Sequence, residues 1–251
     1  MTRLAIPLLF LAALQTEAQE AAQGTASRGG LSGFLFLPES EVLPVGHLMV
    51  QGRLEYLDSE AASNPFLLLP LTVTWGAVEN LEIGGEIPFY LNDPLERENV
   101  AGDLTLGCGW LYETARGGSA IVLRGSLRLP TGETGRDRGT ELEVGAATGT
   151  TFRLFRLQAA ASYVLNGGDD PFENDIEDYS RFSIGGASYV AEDIQVVLAM
   201  EGTTTGELGM SGSGVLYAFG NMAVFGTLRV GLSGTEDATL AGGLSWTGSG
   251  F

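Results

Sequence analysis

The chain has 251 residues, with 13 Lys+Arg against 31 Asp+Glu, a formal net charge of −18, one Cys and one His. The acid excess excludes a nucleic-acid binder, whose phosphate partner demands a basic face; the single Cys excludes a disulfide framework or a cysteine-rich zinc site. With 37 Gly, 44% hydrophobic and 18% charged residues, the chain is not a disordered acidic one, and its length suits one large all-β domain.

Met1-Thr2-Arg3, the apolar run Leu4 to Leu14 and the small residues Thr16 and Ala18 read as a secretory signal peptide covering 1–18. The run is too short for a membrane helix, which takes about 20 residues. Residues 19–44 are expected outside the membrane wall, as a periplasmic segment or partial plug. Gln, Gly, Ser and Thr dominate 23–33, and Leu35-Phe36-Leu37 is apolar enough to dock into the periplasmic mouth.

Residues 45–251 read as strands. Twelve segments of about ten residues recur between Gly, Asn, Asp and Pro: 46–56, 66–76, 80–90, 102–112, 119–130, 140–152, 155–165, 179–190, 193–203, 207–218, 221–232 and 237–247. Several alternate with period two. In 193–203, Ile194, Val196, Leu198 and Met200 oppose Gln195 and Glu201; in 221–232, Met222, Val224, Leu228, Val230 and Leu232 oppose Thr227 and Arg229. The connections alternate too. Those at 77–79, 113–118, 153–154, 191–192 and 219–220 are short; 57–65, 91–101, 131–139 and 166–178 are long, with 204–206 and 233–236 in the same phase. Long loops alternating with short turns, strands of bilayer-crossing length and an even strand count predict a closed antiparallel transmembrane β-barrel in the bacterial outer membrane, an up-and-down meander of twelve strands with the long loops outside the cell. Its expected partners are outer-membrane lipid, the barrel-assembly machinery and a small-molecule solute. A soluble barrel would give the same alternation with the opposite face inward, but its strands are ordinarily nearer five or six residues.

Aromatic residues at segment ends (Trp75, Phe89, Tyr90, Trp110, Tyr112, Phe152, Phe155, Tyr189, Tyr217, Phe219 and Trp246) suggest the two interface girdles of such a barrel. Gly84, Gly107, Gly125, Ala160 and Gly185 suit a crowded lumen. Phe251 resembles the terminal aromatic of outer-membrane proteins, though a Thr-Gly-Ser-Gly tail separates it from the phase of Leu240, Leu244 and Trp246.

Particular stretches carry a resemblance. Glu41-Val-Leu-Pro-Val-Gly46, Leu71-Thr-Val-Thr-Trp-Gly76, Asn80-Leu-Glu-Ile-Gly84, Gly102-Asp-Leu-Thr-Leu-Gly107 and Leu127-Arg-Leu-Pro-Thr-Gly-Glu133 resemble the outer-membrane family labelled for the meta-pathway of phenol degradation, across roughly residues 41–165. The resemblance implies an outer-membrane barrel passing small hydrophobic or aromatic compounds. It brings no site residues with it.

Assigning each polar face to the lumen places Glu82, Glu86 and Asp103 on strands three and four, Arg124 and Arg128 on strand five, Glu141 and Glu143 on strand six, Arg156 on strand seven and Arg181 on strand eight. Glu201, Glu207 and Arg229 follow on strands nine to eleven. Arg124 and Arg128 are expected to be the main positive charges of the lumen. Strands about 4.8 Å apart let such side chains pair. The blocks read either as a field that orients solutes in a constriction or as a salt-bridge ladder in a sealed, structural barrel; the need to pair buried charge favours the ladder.

The connection 166–178 holds six acids and no base. Its oxygens suit Ca²⁺, or a divalent bridge to lipopolysaccharide, but without EF-hand spacing, and a solvated acidic loop is the simpler reading. His47 opens the first strand with no partner motif, so no enzyme activity, cofactor or metal centre is expected. Cys108 shares the apolar face of Leu106 and Trp110 and reads as a lipid-facing or packed hydrophobe.

Overall fold

The computed structural model describes residues 26–27, 30–31, 33–34, 37–38, 40–59, 66–92, 100–113, 120–132, 139–152, 155–167, 177–218, 221–233 and 236–249. Residues 1–18, read above as a signal peptide, lie outside them, as do Leu35, Phe36, Phe219, Phe251 and residues 168–176 of the acidic connection.

Twelve long strands form the wall. They are β1 (His47–Ser59), β2 (Phe66–Val78), β3 (Leu81–Asn92), β4 (Leu104–Glu113), β5 (Ala120–Leu129), β6 (Thr140–Phe152), β7 (Phe155–Gly167), β8 (Tyr179–Ala191), β9 (Ile194–Thr203), β10 (Leu208–Ala218), β11 (Met222–Ser233) and β12 (Glu236–Ser249). Every strand expected from the sequence is present, its ends moved by a few residues. Each pairs antiparallel with its chain neighbours, and β12 returns to β1 with Trp246 opposite Val50, so the sheet closes. The two-residue strand Val100–Ala101 adds to β3 beside β4. Closure leaves no sheet edge in need of a partner.

The connections sort into two ends. Glu79–Asn80 and Glu192–Asp193 are tight two-residue turns at one end, where His47 pairs with Ser249; Asn80 takes φ 65° there, a left-handed conformation that Asn tolerates. The long connections lie at the other end. Two connections at that end are short: Thr204–Glu207 is a tight turn closed by the Thr203 N–H bond to the Glu207 carbonyl, and two residues separate β11 from β12.

Which face is covered decides between the lipid and soluble readings. On β9, Leu198 is 65% exposed while its neighbour Val197 is 2% and Gln195 3% exposed. On β11, Met222, Val224, Leu228 and Val230 are exposed while Thr227 and Arg229 are buried. A soluble barrel would bury the apolar row and expose the charges. Here the apolar row faces out around the wall, as only lipid would reward. Trp75, Trp110, Tyr112, Phe152, Phe155 and Trp246 are exposed outward near the turn end, and Tyr56, Tyr163 and Phe182 near the loop end, as two girdles. Tyr189 and Tyr217 are not part of them: they take the inner register, with ring centroids 6.2 Å apart, and the Tyr217 hydroxyl donates to Gln195 Oε1 at 2.8 Å. Cys108 is exposed with Leu106 and Trp110. Gly125 faces outward as well, because a Cβ there would meet Cys108 Sγ, and so it does not line the interior.

Candidate functional site

The described residues between Ala26 and Leu43 lie inside the barrel, in the half nearer the turns. The segment enters over β2: Gly46, at φ 74°, turns the chain into the wall, its N–H donating to the Gly76 carbonyl at 2.8 Å. A Cβ on Gly76 would overlap the carbonyls of Leu43 and Pro44. The Leu43 N–H donates to Glu82 Oε2 at 3.0 Å, and Glu82 is fully buried. Further back, Glu41 forms an ion pair with Arg156 at 2.8 Å, and Ser40 Oγ accepts from the same guanidinium at 3.2 Å.

The two-residue strands Gly33–Phe34 and Leu37–Pro38 then pair antiparallel. Thr74 Oγ1 donates to the Gly30 carbonyl at 2.6 Å, and Ser27 Oγ accepts from Arg124 at 3.2 Å. Ala26 and Gln51 exchange two hydrogen bonds, at 2.8 and 3.4 Å. Gly84 lets this segment lie flat on the wall, since a Cβ there would run into the backbone of Gly30.

The inner wall is neutral in formal charge. Among the described residues it carries Arg53, Arg124, Arg128, Arg156, Arg181 and Arg229 against Glu55, Glu82, Glu86, Glu141, Glu143 and Glu201. Arg128 and Glu141 pair across adjacent strands at 3.0 Å, as neighbouring strands permit. The other wall pairs are different. Arg181 of β8 reaches Glu143 of β6 at 3.1 Å, and Arg229 of β11 pairs with Glu201 of β9. Arg53 of β1 pairs with Glu55 on its own strand and with Glu86 of β3 at 2.8 Å. In the low dielectric of a narrow interior, each charge is held by a partner that offsets its desolvation.

Most of the charged residues expected to line the lumen thus meet a partner inside the barrel. Glu82, Arg124 and Arg156 meet the N-terminal segment; Glu86, Arg128, Glu141, Glu143, Arg181, Glu201 and Arg229 are held within the wall. Two depart from expectation. Asp103 precedes β4 and its Oδ1 accepts from the Gly132 N–H at 3.0 Å, while Thr131 Oγ1 accepts from the Leu104 N–H at 2.9 Å. It therefore ties two connections together at the loop end, because the strand begins two residues later than expected. Glu207 likewise precedes β10, in the tight turn.

Arg124 and Arg128 share the described inner wall with four further arginines, Arg53, Arg156, Arg181 and Arg229. Arg53, at 2% exposure, is the most enclosed arginine of the wall, and sequence reasoning passed over it with Gln51 and Glu55. The signal was present: Met49, Gln51, Arg53 and Glu55 alternate with Val50, Gly52, Leu54 and Tyr56.

His47 Nδ1 lies 3.4 Å from the Val45 carbonyl at the start of β1. Among the described residues no group of His, Cys, Asp and Glu is arranged to hold a metal. At the described edges of the acidic connection, Asp178 accepts from the Asn166 N–H at 2.9 Å and the Glu177 carbonyl from its amide at 3.0 Å.

The fold and its outward apolar face define the class: a transmembrane β-barrel of the outer-membrane type, with an occupied lumen. Comparison with solved structures agrees. The chain is similar to an outer membrane channel from Pseudomonas putida F1, with a TM-score of 0.67 and 13% identity over 84% of this chain and 98% of that one. It is also similar to the KdgM porin, crystallised in complex with disordered oligogalacturonate (TM-score 0.59, 7% identity, covering 79% and 98%), and to the NanC porin (0.58, 8%, 79% and 98%). No family profile and no curated protein sequence matches the chain.

Proposed function

We propose that the protein is an outer-membrane conduit for small solutes of low charge, including apolar and aromatic ones, whose passage requires the N-terminal segment to shift. The observation that carries this reading is the neutral inner wall. Among the described residues six arginines face six glutamates, most in direct pairs, so this part of the wall offers no net charge to draw ions, although the chain as a whole carries −18. A selective ion pore uses rings of unpaired like charge instead. The segment hydrogen-bonded inside the turn half supports the second element of the reading, a path that is closed at rest. On this reading residues 1–18 are an export signal, 19–44 a plug and 45–251 the barrel. The long connections face the cell exterior, and the barrel-assembly machinery inserts the chain. The resemblance of residues 41–165 to the family labelled for phenol degradation points to the same kind of cargo, and the likeness in fold to an outer membrane channel supports passage through the barrel.

The test is flux into liposomes carrying the purified full chain, with phenol and benzoate compared, and again after deletion of residues 20–40. Phenol is expected to enter faster than benzoate, and the deletion to speed both. If both chains pass neither solute, the second reading holds: a structural or surface-binding barrel sealed by its paired charges and its N-terminal segment. That same pairing of wall and segment is what favours it.

A further inference from the structure

One part of the lumen is not polar. Leu37, 1% exposed, is buried against Ala187 of β8, Val197 and Ala199 of β9, Val215 of β10, and Ala223 and Phe225 of β11. The pocket owes its depth to small wall residues. A Cβ on Gly185 would approach Leu37 Cδ2 to 2.8 Å, and three of the six lining residues are alanines. Its rim is polar. Gln195 and the Tyr217 hydroxyl, which bond at 2.8 Å, close the side towards the turns, while Ser211 and the Arg229–Glu201 pair stand towards the loops. An apolar recess with a few fixed polar groups at its edge is the usual build of a small-molecule site. Outside the recess, β5 and β7 present Arg124, Ser126, Gln158 and Ser162 to the lumen instead.

We propose that this recess is a binding site for the apolar part of a small solute, and that Leu37 occupies it in the solute's place. The recess takes a branched four-carbon side chain, so its ligand class is a single ring or short branched alkyl group bearing one hydroxyl, which the Gln195–Tyr217 edge can receive. A site filled by the protein's own side chain weakens the apparent affinity of a ligand by the fraction of time the side chain is away. Leu37 thus couples solute binding to release of the N-terminal segment. The inference rests on the reading of the barrel as a solute conduit, and it is tested by binding, which does not depend on flux.

The experiment follows the alanine methyl resonances of the full chain in detergent while 4-methylphenol is added. Ala187, Ala199 and Ala223 report the recess, and Ala161, exposed on the outer face, reports partition into detergent. In Leu37→Ala the recess methyls are expected to shift saturably at about tenfold lower concentration than in the native chain, with Ala161 unchanged between the two. Ala199→Leu, which fills the recess from the wall whether or not Leu37 stays in it, is expected to abolish the saturable shift at Ala187 and Ala223. Equal responses in Leu37→Ala and the native chain, or a response confined to Ala161, overturn the proposal. Saturable binding without liposome flux would sink the conduit reading and leave this site standing; flux of 4-methylphenol with silent recess methyls would remove the site alone.

Discussion

Arg181 of β8 reaches Glu143 of β6 over Ser162 of the strand between, and the Ser162 hydroxyl donates to the same carboxylate. Two other pairs repeat the arrangement. Arg53 reaches Glu86 over Thr72, whose hydroxyl lies 3.4 Å from Arg53 Nη1 and donates to Glu86 Oε2 at 3.2 Å. Arg229 reaches Glu201 over Gly209, where a Cβ would stand 2.9 Å from the Arg229 side chain. The inner face of a narrow closed sheet is concave. Side chains two strands apart converge across it, provided the residue between is small.

Arg53→Met tests the most enclosed of these pairs. It leaves Glu55 and Glu86 buried with their cation removed, so the barrel is expected to lose about 3–5 kcal/mol. Adding Glu55→Leu and Glu86→Leu is expected to restore most of the loss. Arg181→Gln, whose side chain is 40% exposed, is expected to cost no more than about 1 kcal/mol. Midpoints of urea unfolding in lipid vesicles rank the variants, and an Arg53→Met midpoint equal to the native one would contradict the role given to this pair.

Gly84→Leu tests the seat of the N-terminal segment. The new side chain meets the Gly30 backbone, which cannot give way while Thr74 holds its carbonyl. The segment is expected to leave the lumen while the wall persists. Proteolysis then cuts within 20–43 at least tenfold faster, and planar-bilayer conductance rises to match that of the chain lacking 20–40. Unchanged cleavage and conductance would show that the segment does not depend on this contact.

The outer face is tested by Leu198→Arg, mid-strand on β9 and 65% exposed. A cation near the bilayer midplane is expected to destabilise the inserted barrel by about 2–4 kcal/mol. In a soluble barrel the same exposed position would accept arginine at little cost. Unfolding in vesicles reads the difference, and a loss below 0.5 kcal/mol would argue against lipid at this face.

Orientation is tested by single cysteines in a Cys108→Ser background. Glu177→Cys, at the loop end, is expected to react with an impermeant maleimide on intact cells. Asn221→Cys, at the turn end, should react only once the outer membrane is opened. The reverse pattern would invert the barrel.

The local sequence was sufficient for the strands. Period-two alternation reports a sheet with two unlike faces, and Ile194 to Met200 read from sequence alone as they stand in the wall. The phase of the long and short connections was enough for an even, closed meander, because connection length is also a local property. Alternation by itself does not say which face meets solvent. That was decided by closure, which encloses Gln195, Thr227 and Arg229 and leaves Leu198 and Leu228 outside. Partners within the lumen were equally out of reach. Adjacent-strand spacing anticipates Arg128 with Glu141, but Arg53 with Glu86 and Arg156 with Glu41 depend on wall curvature and on the path of a segment with no strand pattern of its own. The glycines show the same division: Gly84 and Gly185 read as small residues of a crowded interior, yet what crowds them, the Gly30 backbone and Leu37, is set by contacts between residues far apart in the chain, which no local period encodes.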